Sequence, residues 1–311
     1  MESLEGKRLV VFGAGYIGGE VARQALSRGA RVTALTRNHA TAERLRQEGI
    51  ATVVGDLASR EWHGQITGGA DYVLNAVSSG GGGKAGYHQS YVQGMQSVLD
   101  WAKSTTGVGT LVYTSSTSVY PQDHGVSVDE SAPTEGAGEL PQVLLEAENL
   151  LQGASSWSNS ERIHEACRNR SFHRWFILRL AGIYGPGRHY LVDQVRSGVV
   201  AGRGEHHLNL AHRDDIVSAI WAAFESPDAD ESGIFNVSDD KAARKEEIVA
   251  WLAQKLGVAM PTFTGVPAAG RRAVTPDRVI LNTKLRTRLS WRPRFPTFRE
   301  GYKNMLALSA E

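Results

Sequence analysis

Gly13, Gly15 and Gly18 stand at G-x-G-x-x-G spacing directly after the apolar run Leu9-Val10-Val11-Phe12. That run has the unbroken apolar character of a parallel strand buried on both faces. From Tyr16 to Leu26 the periodicity becomes helical, with Ile17, Val21, Ala25 and Leu26 on one side. A strand, a glycine turn and a helix in that order constrain the fold far more than the glycines alone. Each glycine has its own task in such a turn. Gly13 makes the tight bend, Gly15 lets a pyrophosphate reach the backbone, and Gly18 lets the helix pack on the strand. The helix N-terminus adds unpaired N–H groups and the positive end of its dipole. The expectation is a dinucleotide-binding βαβ unit, with Tyr16 and Ile17 also in the binding loop.

The next strand bears on which dinucleotide. Ala30 to Leu35 reads as that strand, and Thr36-Arg37 ends it. A ribose 2′-hydroxyl calls for a carboxylate at this place. Thr36 has no charge, whereas the Arg37 guanidinium suits a 2′-phosphate by forked hydrogen bonding. Arg44 or Arg46, on the following helix, is a second candidate cation. The expectation is NADP in preference to NAD, against the alternative that Arg37 is a solvated loop cation. Val53-Val54-Gly55-Asp56-Leu57 reads as the third strand and its turn. Asp56 suits either acceptance from an adenine amino group or a turn cap.

Strands are expected near 8–12, 30–35, 51–54, 71–77, 109–114 and 174–180, and helices near 16–28, 39–48, 85–104 and 140–152. This alternation predicts an α/β fold, a Rossmann-type doubly wound parallel sheet. Residues 1–180 form the expected dinucleotide-binding domain, to which 211–238 return. Residues 181–210 and 239–311 form a smaller C-terminal substrate lobe. There a helix is expected from Arg213 to about Phe224, a strand from Gly233 to Val237, and a helix near 244–256. Ligands bind such sheets at the carboxyl ends of the strands. Those ends carry the glycine loop, Thr36-Arg37, Gly55-Asp56, Asn75-Ala76-Val77-Ser78-Ser79 and Thr114-Ser115-Ser116. Leu57, Ala76, Val77 and Ser78 are therefore expected beside the cofactor. Gly80 to Gly83 reads as a glycine loop on the same rim, and residues 153–160 as a second polar break.

With 34 Lys and Arg against 33 Asp and Glu, the composition gives no electrostatic case for nucleic acid or an anionic membrane. No run approaches the roughly 18 apolar residues of a membrane span. With the first strand expected near residue 8, no signal peptide is expected before it. The single cysteine, Cys167, has no internal disulfide partner and reads as a buried thiol, which fits a reducing, cytoplasmic setting. His206-His207 and His212 lack metal-ligand spacing, so no metal site is expected.

Five segments in consistent order resemble the extended short-chain dehydrogenase/reductases, the superfamily of NAD-dependent epimerases and dehydratases. They are Gly13 to Gly18; Tyr113-Thr114-Ser115-Ser116-Thr117-Ser118-Val119-Tyr120; Arg179 to Arg188, which matches R-x-x-x-x-Y-G-P-G-R; Leu210 to Ile216; and Gly233-Ile234-Phe235-Asn236-Val237. The resemblance implies a cofactor on the amino-terminal sheet and a small-molecule substrate, such as a sugar or nucleotide sugar, under the carboxyl-terminal lobe. It also implies pairing of two copies through the helices near 85–104 and 140–152. Val143-Leu144-Leu145 and Leu150-Leu151 suit either that homodimer interface or the core.

One departure matters more than the matches. Such relatives use a Ser or Thr with a Tyr-x-x-x-Lys pair. Ser116 takes the serine position, but alignment on Ala147-Glu148 puts Leu140 at the tyrosine and Leu144 at the lysine. No Tyr-x-x-x-Lys occurs anywhere in the chain. A phenolate base needs a cation to lower its pKa, and leucine supplies neither group. Tyr91 stands where relatives place an asparagine that holds the lysine. The chain thus resembles an atypical member with a rebuilt site. Candidates for proton handling are Ser116, Tyr91 and Arg188, with His88, Tyr184 and His189 behind them. Two functions fit: an NAD(P)-dependent oxidoreductase or epimerase-like enzyme with a non-standard proton relay, or a non-catalytic NAD(P)-binding sensor or partner-binding protein.

Overall fold

The structure, a computed structural model, describes residues 2–79, 81–155, 172–228, 231–267 and 276–308. Cys167, Gly80 and the end of the 153–160 break lie outside them. In chain order the elements begin β1 (Arg8–Phe12), α1 (Gly18–Ser27), β2 (Arg31–Thr36), α2 (His39–Gln47), β3 (Ala51–Val54) and β4 (Ala70–Asn75). Then come α3 (Gly83–Tyr87), a π-helix (His88–Gln93), α4 (Gly94–Ser104), β5 (Val108–Ser116), β6 (Val126–Val128), α5 (Glu139–Ser155) and β7 (Phe172–Leu180). They continue with β8 (Gly182–Tyr184), α6 (Tyr190–Arg196), β9 (Val199–Val200), β10 (His207–Leu208), β11 (Leu210–His212), α7 (Arg213–Phe224) and β12 (Gly233–Val237). The last are β13 (Ala243–Arg244), α8 (Lys245–Leu256), β14 (Thr262–Phe263), β15 (Arg278–Ile280), α9 (Thr283–Arg288) and α10 (Phe298–Leu308).

Seven strands form one sheet in the order β12-β7-β5-β4-β1-β2-β3. The pairs from β3 through β5 are parallel, with Val11 beside Ala34 on one side and Leu74 on the other. This is the Rossmann-type α/β fold. The strand order reverses between β1 and β4, and that reversal opens a crevice at the carboxyl ends. Leu9 to Phe12 are fully buried, as a central strand covered on both faces requires.

The chain forms two compact units, one of residues 1–119, 137–179 and 220–235, the other of residues 120–136, 180–219 and 236–311. In the first, Phe12, Trp62 and Trp101 make an aromatic cluster with ring centroids 4.8–5.9 Å apart. Both indoles find acceptors, Trp62 on Leu57 O at 3.1 Å and Trp101 on Ile66 O at 2.7 Å. Each such side chain removed from water contributes about 1.5–3 kcal/mol. Val143, Ala147 and Leu151 of α5 pack into this core, and Leu144 is buried as well. In the second unit Val192, Val195, Ile248, Leu252, Phe298, Tyr302 and Met305 form the core under small strand pairs such as β8·β11. No described helix is long and apolar enough to cross a membrane.

Two expectations need correction. The helix expected over 85–104 is present, but its turn at His88–Gln93 is π-helical, between α3 and α4. Its start also moves forward to Gly83, whose preceding Gly82 has φ +81°. The strand expected over 71–77 stops at Asn75, and the chain then turns to line the crevice.

Candidate functional site

The glycine turn is shaped by close backbone approach. Gly13 has φ +87°, and a Cβ there would lie 2.6 Å from Val77 N, inside the chain that follows β4. Only glycine fits such a place. Its N–H donates to Leu35 O at 3.0 Å, and Ala76 N donates to Phe12 O at 2.8 Å, so the ends of β1, β2 and β4 are knitted together. Gly15 differs: a Cβ built on it meets nothing within 4 Å. That space is where the anionic group would sit. No side chain caps the start of α1, and within the turn Gly19 N donates to Gly15 O at 2.9 Å.

The walls of the crevice include Gly13, Gly15, Arg37, Asp56, Leu57, Ala76, Val77 and Ser78. The sequence analysis named all eight. Tyr16, Ile17 and Gly18, also named, are not among the lining residues. Ile17 is buried at the helix start, and a Cβ on Gly18 would press on Gly13 O and Val11, so these two shape the turn from behind. Ala14, Leu35, Thr36, Asn38 and Ser90 line the crevice without having been named as site residues. Asn38 carried a legible signal, since an Asn before a helical run is a cap, and its Oδ1 accepts from Thr41 N at 2.8 Å. Ser90 carried none, because it lies on the segment read as continuous α-helix.

Among the described residues, Arg37 is the one cation lining the crevice. It is exposed and its Nη2 is 3.5 Å from Ser78 O, a weak hold that leaves the fork able to turn to a ligand. Thr36 and Asn38 are committed locally: Thr36 Oγ1 accepts from Asn38 N at 3.2 Å, and Asn38 caps α2. Neither Arg44 nor Arg46 lines the crevice, and Arg46 turns to Glu43 and Thr52 O. Asp56 serves as a turn cap, with Oδ1 accepting from Ala58 N at 3.0 Å, while Oδ2 accepts from Gln89 Nε2 at 2.7 Å. A carboxylate has about four lone-pair sites, so these bonds leave room for an adenine amino group.

The proton-handling candidates are less concentrated. Ser116 ends β5, and its Oγ accepts from Ser118 N at 3.1 Å. Tyr91 Oη accepts from Ser79 N at 3.2 Å, and burial pushes its phenol above the ordinary range. A phenol raised in this way is a poor base at neutral pH. His88 lies 3.7 Å from Glu146, on the outer face of α5. Leu144 is buried and Leu140 half-buried. In the second unit, Arg188 closes a tight turn with Gly185, and His189 Nδ1 is 3.1 Å from both Asp193 oxygens. Tyr184 is buried in that unit's core against His212 and Tyr302. Among the described residues no group of three or more His, Cys, Asp or Glu is placed to hold a metal ion.

Comparison with known proteins agrees with this geometry. Residues 9–140 match the model of the NAD dependent epimerase/dehydratase family. The protein YeeZ of Escherichia coli (strain K12) is 26% identical over 280 residues, 89% of this chain and 93% of that one. The 2-alkyl-3-oxoalkanoate reductase of Stenotrophomonas maltophilia (strain K279a) is 28% identical over 228 residues, 71% of this chain and 66% of its own. Among solved structures, MoeE5 in complex with UDP-glucuronic acid and NAD superposes with a TM-score of 0.78 at 20% identity, covering 97% of this chain and 99% of that one. Over residues 9–140, which carry the glycine turn and most of the parallel sheet built around it, the chain is similar to the NAD dependent epimerase/dehydratase family.

Proposed function

We propose that the chain binds NADP(H), in preference to NAD(H), in the crevice at the carboxyl ends of β1, β2 and β4. It then works as an oxidoreductase or epimerase-like enzyme on a carbonyl or alcohol carbon of a sugar-like substrate. The observation that carries the cofactor reading is the pairing of an empty cradle at Gly15 with Arg37 as the lining cation. Gly13 and Gly15 and the uncapped start of α1 receive the pyrophosphate, Arg37 the 2′-phosphate, and Asp56 the adenine. The bound nicotinamide supplies hydride transfer. The chain's own part is to orient the substrate and handle one proton. Ser116 polarises a substrate oxygen, and no Tyr-x-x-x-Lys pair takes part. A reductase among the relatives and a neighbour bound to UDP-glucuronic acid and NAD support the chemistry and the substrate class.

The test is calorimetry with NADPH and NADH on the wild type and on Arg37→Ala. Loss of one charge-assisted contact weakens NADPH by about 1–3 kcal/mol and leaves NADH nearly unchanged. Equal affinity in the wild type, or an unchanged preference in the variant, removes the NADP assignment. A screen of sugar, polyol and nucleotide-sugar compounds with product analysis then tests turnover.

A second reading has a specific observation behind it. Leu144 is buried where the lysine would be, and the Tyr91 phenol is held by a backbone N–H and pushed up by burial. A site with so little tuned acid–base equipment also suits a non-catalytic NAD(P)-binding sensor. An empty substrate screen, joined to a dinucleotide-dependent change in association with a partner, selects that reading.

A further inference from the structure

The π-helix His88–Gln93 is the wall of the crevice that the glycine turn does not account for. Hydrogen bonding in a π-helix runs i to i+5, so each residue turns less about the axis than in an α-helix. Gln89, Ser90 and Tyr91 therefore fan over a narrower arc: Ser90 lines the crevice, while Gln89 and Tyr91 reach Asp56 and Ser79 at its two sides. Gln89 Nε2 donates to Asp56 Oδ2 at 2.7 Å, in the turn after β3. Ser90 is buried and lines the crevice directly. Tyr91 Oη accepts from the N–H of Ser79 at 3.2 Å, in the segment after β4, and its ring packs on Tyr87 with centroids 5.2 Å apart. One helical turn thus holds the loops at both flanks of the crevice. Asp56 is doubly fixed, by Ala58 N on one oxygen and Gln89 on the other. Gly94, the first residue past the π-helix, sits so close to Leu57 that a Cβ would lie 3.2 Å from its Cδ2, which keeps this turn pressed against the wall.

In a sheet of this order the adenosine half of a dinucleotide lies over β2 and β3, and the other half over β4 and β5. We propose that Gln89 and Tyr91 are positioning residues for the two halves of the cofactor, Gln89 aiming the Asp56 carboxylate at the adenine and Tyr91 setting the Ser78–Ser79 backbone that borders the nicotinamide half. This assignment rests on the reading of the crevice as the dinucleotide site. π-Helical turns are often found at functional sites, and here the bulge is what gives both residues their reach. Tyr91 is on this account a holder of backbone. Its hydroxyl oxygen accepts from the Ser79 N–H, and the part assigned to it is to hold that backbone.

The experiment compares a whole ligand with its half. The probes are whichever of NADP⁺ and NAD⁺ binds more tightly, and the matching adenosine half, 2′,5′-ADP or 5′-AMP. Two near-isosteric variants, Gln89→Met and Tyr91→Phe, are titrated with both, and their melting is recorded without ligand. Gln89→Met is expected to weaken whole ligand and half alike, by about 3–10-fold, the scale of one hydrogen bond. Tyr91→Phe is expected to weaken the whole dinucleotide by a similar factor and to leave the half unchanged. A merely structural role would lower melting and weaken both probes together in both variants, and that result overturns the assignment. So does a wild type that binds both probes while the variants bind as it does. A wild type that binds neither probe overturns the cofactor reading itself, and this assignment with it.

Discussion

Arg179 forks onto Glu148, with Nη2 2.6 Å from Oε2 and Nε 3.1 Å from Oε1, and both side chains are sealed from solvent at 4% and 0% exposure. Ser115 Oγ donates to the same Oε1 at 2.6 Å. Three elements, α5, β7 and β5, are pinned at one carboxylate immediately behind Ser116. Helix α5 is thereby anchored to the sheet. A buried charge pair adds little over a well-packed apolar pair, but breaking it by removing one partner costs about 3–5 kcal/mol. Glu148→Gln and Arg179→Met are each expected to destabilise on that scale in urea unfolding. The double variant Glu148→Met with Arg179→Met should cost far less than the sum. Additive losses in the double variant would show that the two side chains do not act as a pair.

Two glycines of one motif should separate folding from binding. At Gly13 a Cβ meets the Ala76–Val77 backbone at 2.6–2.7 Å and φ is +87°, so Gly13→Ala must move main chain. It is expected to destabilise by roughly 1–3 kcal/mol, the cost of overpacking and strain. At Gly15 the protein has space, so Gly15→Val should leave the circular dichroism spectrum and melting intact and abolish dinucleotide binding. Near-normal binding by Gly15→Val would place the dinucleotide elsewhere.

What was legible in the chain follows from which forces acted there. β1, α1, β2, α2 and β3 were readable because continuous apolar strands and amphipathic helices have clear periods, and the glycines punctuate them. The crevice walls followed, because in a parallel sheet they must be the strand ends. The π-helix was not readable, since an inserted helical residue leaves the apolar pattern of Val92, Met95 and Val98 nearly intact. The strand pairs of two or three residues, such as β9·β14 and β10·β13, are too short to show alternation. The helix α10 does carry a sequence signal: Phe298, Tyr302, Met305 and Leu306 stand at helical spacing behind Pro293 and Pro296. The Glu148–Arg179 pair is a contact across 31 positions that no local pattern announces.

Stability should fall as pH rises from 6.5 to 8, through Asp239 in the second unit. Its side chain is 6% exposed and Oδ1 has no hydrogen-bond partner. Burial, reinforced by the neighbouring charges of Asp240, Asp215 and Glu300, pushes its carboxyl up to about 8 from 3.8. Between those values the folded chain holds a proton that the unfolded chain has released, so folding weakens as pH rises and levels off above the folded value. Asp215, pushed up to about 6 by burial, acts in the same direction at lower pH. His212, pushed down to about 4 by burial, acts oppositely between 4 and 6.5. The interval from 6.5 to 8 thus belongs mainly to Asp239, and the expected loss there is roughly 1–2 kcal/mol. Denaturant titrations across this range should show the slope in the wild type and a flatter profile in Asp239→Asn. A flat wild-type profile would count against the buried, protonated carboxyl.

The last expectation concerns helix α5, where the resemblance puts Leu140 and Leu144 at the Tyr and Lys positions. Leu140→Tyr with Leu144→Lys restores the relatives' pair by sequence, but the surroundings have changed with it. Leu144 is 4% exposed, and Tyr91, committed to Ser79 N, stands where relatives keep the lysine's holder. A lysine at position 144 would bury an ammonium, and the carboxylate one turn along α5, Glu148, is already engaged by Arg179 and Ser115, so its burial is costly and drives it towards the neutral form. A neutral amine cannot lower a phenol's pKa, so the restored pair should not raise turnover of a substrate found by screening, and the variant should melt lower. Ser116→Ala is the contrasting test. The Ser116 hydroxyl accepts from Ser118 N and keeps its own proton for donation to a substrate oxygen. Its removal should lower kcat about 10-fold or more, the scale of a hydrogen bond that strengthens in the transition state, with little change in dinucleotide affinity. A silent Ser116→Ala in a working assay would leave the serine without a part in the chemistry, and a gain of activity in the Leu140→Tyr, Leu144→Lys variant would show that the old relay still fits this site.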